Sequence, residues 1–537
     1  MTIAIPGLPS SRKTPGVFLN VQLGVTPTSA GDVPRKILVI GNKITSALSG
    51  ASPSFSVAAG TQADATPIFV PSADDAATYF GRGSEMHWMC RAVLSQYPDA
   101  QLYGATCAEE TGGTQASGTL TFATTSTAAL TLRMKLCGIV QDVAIASGST
   151  ATATAAAVAD AINDLADLPY TAQNSTGAVT ITAKNYGPRG NWLAVDFAWV
   201  NSAGNETRIT TNSTSSGAGT TAILSNVGTP SGSSEFLLTN GATQDSIATV
   251  LTNIEPVKYD RIVIACVDST NIGRLSTALA SQAGVTVQKR QQGIAPSADS
   301  LANATTIATG QNQPRLQLVW HYVSRIPVWA VAAQVAAARL AGDGVVGGRR
   351  SGESSDPAAN LDGTELIDVI AQPTVADQPT ASEIESALNN GITPLAPSAD
   401  RPGYCAIVRS ITTRSLSGGV PSYSVLDTSN VTVTDFVADD LQSDIGTTYA
   451  ATKVSDDTSD GLPPRTQNVV TPSMVRSHIA GKLQQYEEDG YLTNVAANMP
   501  QLQVALDGST AGRLNANIPC EPVAGFHIFG GNVLQLS

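Results

Sequence analysis

Chemistry in this chain would have to start from its four histidines, its six cysteines or its glycine-rich stretches. Zinc sites built on helices need imidazoles at a spacing such as H-E-x-x-H, which places both on one face. His87, His321, His478 and His527 lie far apart and none has such a partner. His321 and His527 sit between apolar neighbours in strand-like runs, where a hydrogen-bonded structural role is commoner than catalysis. The stretch GDGVVGG at 342–348 matches G-x-G-x-x-G, but it follows a helical pattern and precedes RRSGESSDP. A dinucleotide site requires the reverse, a strand before and a helix after, so this reads as a helix stop and a loop. VIGNKITS at 39–46 follows a strand but lacks the Gly-Lys-Ser/Thr core that holds phosphate. Asp268 ends the apolar run VIACVD, where α/β enzymes keep a catalytic carboxylate. No histidine or second carboxylate can be assigned to it, and capping the next helix explains it. With no G-x-S-x-G elbow either, the sequence offers no catalytic, cofactor-binding or metal-ligating residue, and the chain reads as no enzyme.

The composition sets further bounds. At 537 residues the chain exceeds one hydrophobic core and implies roughly three domains. A net charge of -13 argues against a nucleic-acid surface, which needs clustered Lys and Arg. No signal peptide is visible at the start. The most apolar stretch, IPVWAVAAQVAAARLAG, is interrupted by Pro327, Gln334 and Arg339 and falls short of the ~20 residues of a membrane span. The cysteines show no C-x-x-C spacing and read as buried thiols, with an intersubunit disulfide left open for Cys520.

Elements follow from hydrophobic period. RKILVIG, AQLYGATC, YDRIVIACVD and RLQLVWHYV read as buried strands. Between them lie helical stretches, one striped by Met86, Met89, Cys90, Val93 and Leu94, another opened by Pro327 and closed by Gly342. This βα rhythm predicts a layered, doubly wound or related α/β domain. From 118 to 241 the texture changes to short strands around an Ala-rich helix, a small α/β insert. A capping box is expected at Ser382 and Glu385. The last domain carries a helix over 431–445 and a longer one over 472–488, whose stripe is Val475, Ile479, Leu483 and Tyr486. Arg476 and Lys482 lie off that stripe. Glu487, Glu488 and Asp489 crowd its C-terminal end, where the helix dipole disfavours anions.

Both chain ends read as strands in search of a sheet. TPGVFLNVQLG puts Val17, Leu19, Val21 and Leu23 on one face, behind a Pro/Gly/Ser arm. At the other end, GFHIFGGNVLQLS alternates Phe526 and Ile528 with His527, and Leu534 and Leu536 with Val533 and Gln535, about a hinge at Gly530 and Gly531. An unpaired edge strand is an aggregation hazard unless it is managed or used. Pattern alone makes pairing within the same chain the plainer reading.

SRKTPGVFLNVQL at the start, VRSITTRSLSGGVPSYSVLDTSNVTVTDFVADDLQ and KVSDDTSDGLPPRTQNVVTPSMVRSHIAGKLQQYEEDGYLTNV in the last domain, and the ending RLNANIPCEPVAGFHIFGGNVLQLS together resemble bacteriophage contractile tail sheath proteins. The insert and YFGRGSEMHWMCRAVLSQYP are most similar to sheaths of Mu-like phages. Phe18 stands where tyrosine is common, and the stretch around Asp456 and Asp457 is a loose match. The resemblance implies an N-terminal arm with a donated strand (1–34), a middle α/β domain (35–117 with 242–400) and an outer insert (118–241). A tube-facing C-terminal α/β core (401–524) and a second donating arm (525–537) complete it. Val17, Leu19, Val21 and Leu23 would anchor one donated strand, and Val533, Leu534 and Leu536 the other. Arg476 and Lys482 become candidates for facing the tube. The implied partners are further copies of the chain in stacked hexameric rings, the tail tube, and baseplate and tail terminator proteins, with no nucleic acid, membrane insertion or cofactor. The implied place is the virion, after assembly in the host bacterial cytoplasm. The implied role is contraction that drives the tube through the host envelope for genome ejection. The insert would be dispensable for polymerisation. A non-contractile virion or surface-layer polymer would use donated strands as well.

Overall fold

The computed structural model describes residues 35–537 apart from 202, 212–214, 218, 231–232, 234, 343–359, 373, 423–424, 451, 458–467, 508–511, 533–534 and 536–537. Strand β1 (Lys36–Gly41) sends Ile37 and Val39 to one side and Leu38 and Ile40 to the other, all fully buried. A strand apolar on both faces belongs inside a parallel sheet covered by helices. The sheet is built from β1, β2 (Ile68–Phe69), β3 (Gln101–Thr106), β4 (Arg261–Ile264), β5 (Gln292–Ser297), β6 (Leu316–Trp320), β7 (Glu365–Ile370), β8 (Thr393–Pro397) and β9 (Tyr404–Ile407). Its order is β7-β9-β8-β6-β5-β4-β1-β3-β2. Pairings from β3 across to β8 are parallel, and those to β2, β9 and β7 are antiparallel. Tyr404–Ile407, at the head of the segment assigned to the last domain, is thus laid into the middle sheet.

Helices α1 (Ala73–Phe80) and α2 (Glu85–Gln96) follow β1, and α3 (Ala151–Asp164) lies in the insert. After the insert come α4 (Ala248–Ile254), α5 (Ser269–Gln282), α6 (Leu301–Gln311), α7 (Val328–Gly342) and α8 (Ala381–Asn389). One core joins α2 and α7 to the Ile37 side of the sheet, and a second joins α4, α5, α6 and α8 to the Leu38 side. The stripe read for α2 is buried at Met86, Met89, Cys90 and Val93, and Leu94 packs at its margin. The apolar stretch weighed against a membrane span is α7, buried all round from Val328 to Leu340. Among the described residues no helix is long and apolar enough to cross a membrane. Asp268 caps α5, its carboxylate accepting the Asn271 N–H at 2.8 Å. The capping box before α8 is formed by Thr380 and Glu383, not Ser382 and Glu385. Thr380 takes the extended backbone an N-cap needs, with ψ at 159°, and its hydroxyl accepts the Glu383 N–H.

The insert forms two antiparallel sheets with α3 packed against strands of both. Its apolar side chains, among them Leu120, Met134, Val158, Ile181 and Phe197, are continuous with the α2–α7 core. The C-terminal part holds α9 (Thr428–Thr448), α10 (Pro472–Glu488) and a hairpin of Gln503–Leu506 with Leu514–Asn517. These share a third core, separate from the other two, in which the predicted stripe Val475, Ile479, Leu483 and Tyr486 is buried.

Candidate assembly surface

In α/β sheets ligands enter where the strand order reverses, outside the carboxyl ends. Here that point lies between β1 and β4, because the chain moves from β1 toward β3 and later from β4 toward β8. The crevice is filled by the chain itself. Arg189, fully buried, reaches in from the insert and donates to Glu85 at 2.9 Å and to Asp245 at 2.7 Å. Asn42, just after β1, donates to Asp245 at 2.6 Å, and its own N–H meets Glu85. Burial works against the Arg189 charge, but the two carboxylates outweigh it and hold the guanidinium protonated. Burial lifts the Glu85 pKa, against the pull of Arg189, and pushes the Cys266 thiol beside Arg189 up to about 12. Gly187 turns the chain into Arg189 with a φ of 101°, and a Cβ on Gly241 would stand 2.4 Å from the Gly187 carbonyl. A separate cleft of about 660 Å³ between the insert and α6 is lined by Trp192, Asn191, Asp299 and Asn303. Its amides and carboxylate are already bonded within the chain.

Helix α9 is acidic on two faces. Asp435 and Asp439, one turn apart, face the middle sheet. Arg315 donates from both terminal nitrogens to Asp435 at 2.6 Å, and Lys258 meets Asp439 at 2.6 Å with Arg290 beside it. Arg409 grips Asp427 ahead of the helix at 2.7 and 2.9 Å. Asp440 and Asp444, also one turn apart, face α10, where Lys482 reaches Asp440 at 2.9 Å and His478 reaches Asp444 at 2.8 Å. Tyr486 donates to Asp440 as well, and burial together with that carboxylate raises its pKa.

Of the two tube-facing candidates, Lys482 is therefore paired inside its domain. Arg476 lies exposed on α10, donating to the Leu502 carbonyl at 2.9 Å and the Met499 carbonyl at 3.3 Å. Val17, Leu19, Val21, Leu23, Val533, Leu534 and Leu536 lie outside the described residues. Cys520 packs at the edge of the C-terminal core, and burial raises its thiol pKa.

The hairpin packs on α10 but has no further strand on either edge among the described residues. Two strands alone are marginal in water. Residues 525–532, which hold the first of the two terminal strands and the hinge at Gly530 and Gly531, join no ladder among the described residues, so pairing at home is not found there. Phe526, Ile528 and Phe529 are 78, 81 and 82% exposed. The exposed run was legible as alternation about His527. The Asp435–Asp439 row went unread, although its one-turn spacing was present in VTDFVADDLQ.

Comparison with known proteins bears on the same region. Residues 422–534 match the family described as phage tail sheath C-terminal domain. Along 96% of its length the chain is 20% identical to the Mu-like prophage FluMu tail sheath protein of Haemophilus influenzae, covering 96% of that protein. Among solved structures it is similar to a sheath tail protein of Listeria innocua, at 12% identity and a TM-score of 0.45, over 92% of this chain and 93% of that one. A sheath tail protein of Desulfitobacterium hafniense gives 12% identity and a TM-score of 0.43, over 91% and 93%. The family model and the relative carry the name that the sequence resemblance pointed to, and both names denote structural tail components.

Proposed function

We propose that this chain is the polymerising subunit of a contractile phage tail sheath. The observation that carries the reading is the open-edged hairpin on α10, together with residues 526–529, which expose three large apolar side chains and join no ladder among the described residues. Strand addition suits both parts, since backbone hydrogen bonds supply affinity and alternate side chains supply register. Donation from head to tail is heterologous, so it propagates into rings and helices instead of closing as a dimer. In this reading Val17, Leu19, Val21 and Leu23 enter one neighbour, and Val533, Leu534 and Leu536 enter another. Hexameric rings stack around the tail tube inside the virion, after assembly in the host cytoplasm. A baseplate signal lets them repack into a shorter, wider lattice, and interface area gained on repacking drives the tube through the envelope for genome ejection. Helix α10 turns toward the tube, with Arg476 the cation best placed to meet it.

Electron microscopy of the full chain, alone and with tube protein, beside a version lacking 531–537 tests this. Regular tubes from the full chain and none from the shortened one are expected. Monomers in every sample would sink the reading, and tubes of a single lattice length would reduce it to a passive polymer. Undiminished coating of tube protein by Arg476→Glu would remove α10 from the tube-facing layer.

A further inference from the structure

Residues 525–532 cross the surface with few attachments. Asn360 Nδ2 donates to the Phe526 carbonyl at 3.2 Å. The other hold is His527, whose Nδ1 meets Asp362 and whose Nε2 lies 3.5 Å from Asp427. Asp427, at the head of α9, is at the same time bonded by Arg409, so Nε2 faces that carboxylate without a hydrogen bond of its own and the Asp362 bond is the firm one. The His527 side chain is 14% exposed, whereas its neighbours Phe526 and Ile528 are nearly bare. The burial thus alternates along the chain, as it does where one side of a segment rests on a surface. Holding His527 inward therefore throws Phe526 and Ile528 outward, opposite to what the hydrophobic effect would select for a lone subunit.

An exposed apolar cluster of this kind marks a surface meant for a partner. Two observations identify that partner as a second copy of this chain. The backbone of the cluster is free for a ladder beyond the Phe526 carbonyl, and every copy carries a hairpin with open edges, both among the described residues. We propose that His527 and Asp362 form a clasp, facing Asp427, that roots the C-terminal arm on its own subunit and presents Phe526 and Ile528 as the first rungs docked by a neighbouring copy. The clasp fixes the direction and register with which the arm departs. This rests on the self-assembly reading for its partner, but the clasp itself belongs to the single subunit and can be measured there.

The test uses the full chain in two arms. In dilute, unassembled protein, chymotrypsin cleavage after Phe526 and Phe529 reports the freedom of the segment. His527→Ala and Asp362→Asn are expected to speed it about tenfold, the effect of losing a charge-assisted hydrogen bond. Cleavage at the wild-type rate in both variants overturns the clasp. In the second arm, Phe526→Ser with Ile528→Ser is followed by sedimentation against concentration and by thermal melting. A wild-type melt with association lost is the expected result. Association as strong as wild type overturns the docking role, as does a wild-type chain that never associates. The cleavage arm still decides the clasp in that case, so failure of the self-assembly reading is distinguishable from failure of this one.

Discussion

The insert and the C-terminal part are both attached to the middle sheet, but by opposite means. The insert shares one continuous apolar core with α2 and α7, and its Arg189 is sunk without exposure between Glu85 and Asp245. The C-terminal part keeps a core of its own and meets the sheet through half-buried ion pairs along α9, Arg315–Asp435 and Lys258–Asp439 among them. Removing one partner of a buried pair leaves an uncompensated charge, whereas a solvated pair yields little when broken. The first seam is closed by fully buried charge, and the second by charge that water partly reaches.

The largest expected effect is at the fully buried seam. Arg189→Met should cost about 3–5 kcal/mol in denaturant unfolding, because two buried carboxylates lose their cation. A loss below about 1 kcal/mol would erase the contrast between the seams. The same argument runs against the expectation that 118–241 is dispensable, since its deletion also strips Arg189 from Glu85 and Asp245.

Acid sharpens the contrast next. His87 on α2 is held neutral, burial pushing its pKa from 6.5 down to about 4, and its Nδ1 accepts the Gly83 N–H at 3.1 Å. The unfolded chain takes up the proton first, so this contribution is whole above the ordinary histidine pKa and is lost as pH falls from there toward about 4. The loss is on the order of 3 kcal/mol. Glu85 works in the opposite direction because its pKa is raised. The comparison of wild type with His87→Gln therefore isolates the imidazole, and parallel stability–pH curves for the two would refute it.

The smallest effect belongs to the ionic seam. Arg315→Ala should cost about 1 kcal/mol and lose most of that cost in concentrated salt, read from denaturation at two ionic strengths. A loss as large as that of Arg189→Met would erase the difference between the two.

Much of the fold was legible because its signals are local. The α10 stripe and the Asp268 cap depend on residues within a few positions of each other, and both were read in place. Arg189 was invisible for the opposite reason. Its partners Glu85 and Asp245 stand 104 and 56 residues away, and nothing in PRGNW announces a buried cation. The α9 row was half legible, since its spacing is local but Arg315 lies 120 residues from Asp435. The exposed C-terminal run was legible as alternation and its want of a partner was read with it, but alternation alone does not say which sheet a strand joins.

The insert enters and leaves the middle layer side by side, where Thr114 and Ala242 pair. Adjacent ends usually make a good port for grafting a foreign domain, since a guest whose termini lie close together fits without stretching the host. Here the port is keyed. Any guest must bring a cation to the position of Arg189, or Glu85 and Asp245 must be exchanged for apolar residues in the same step.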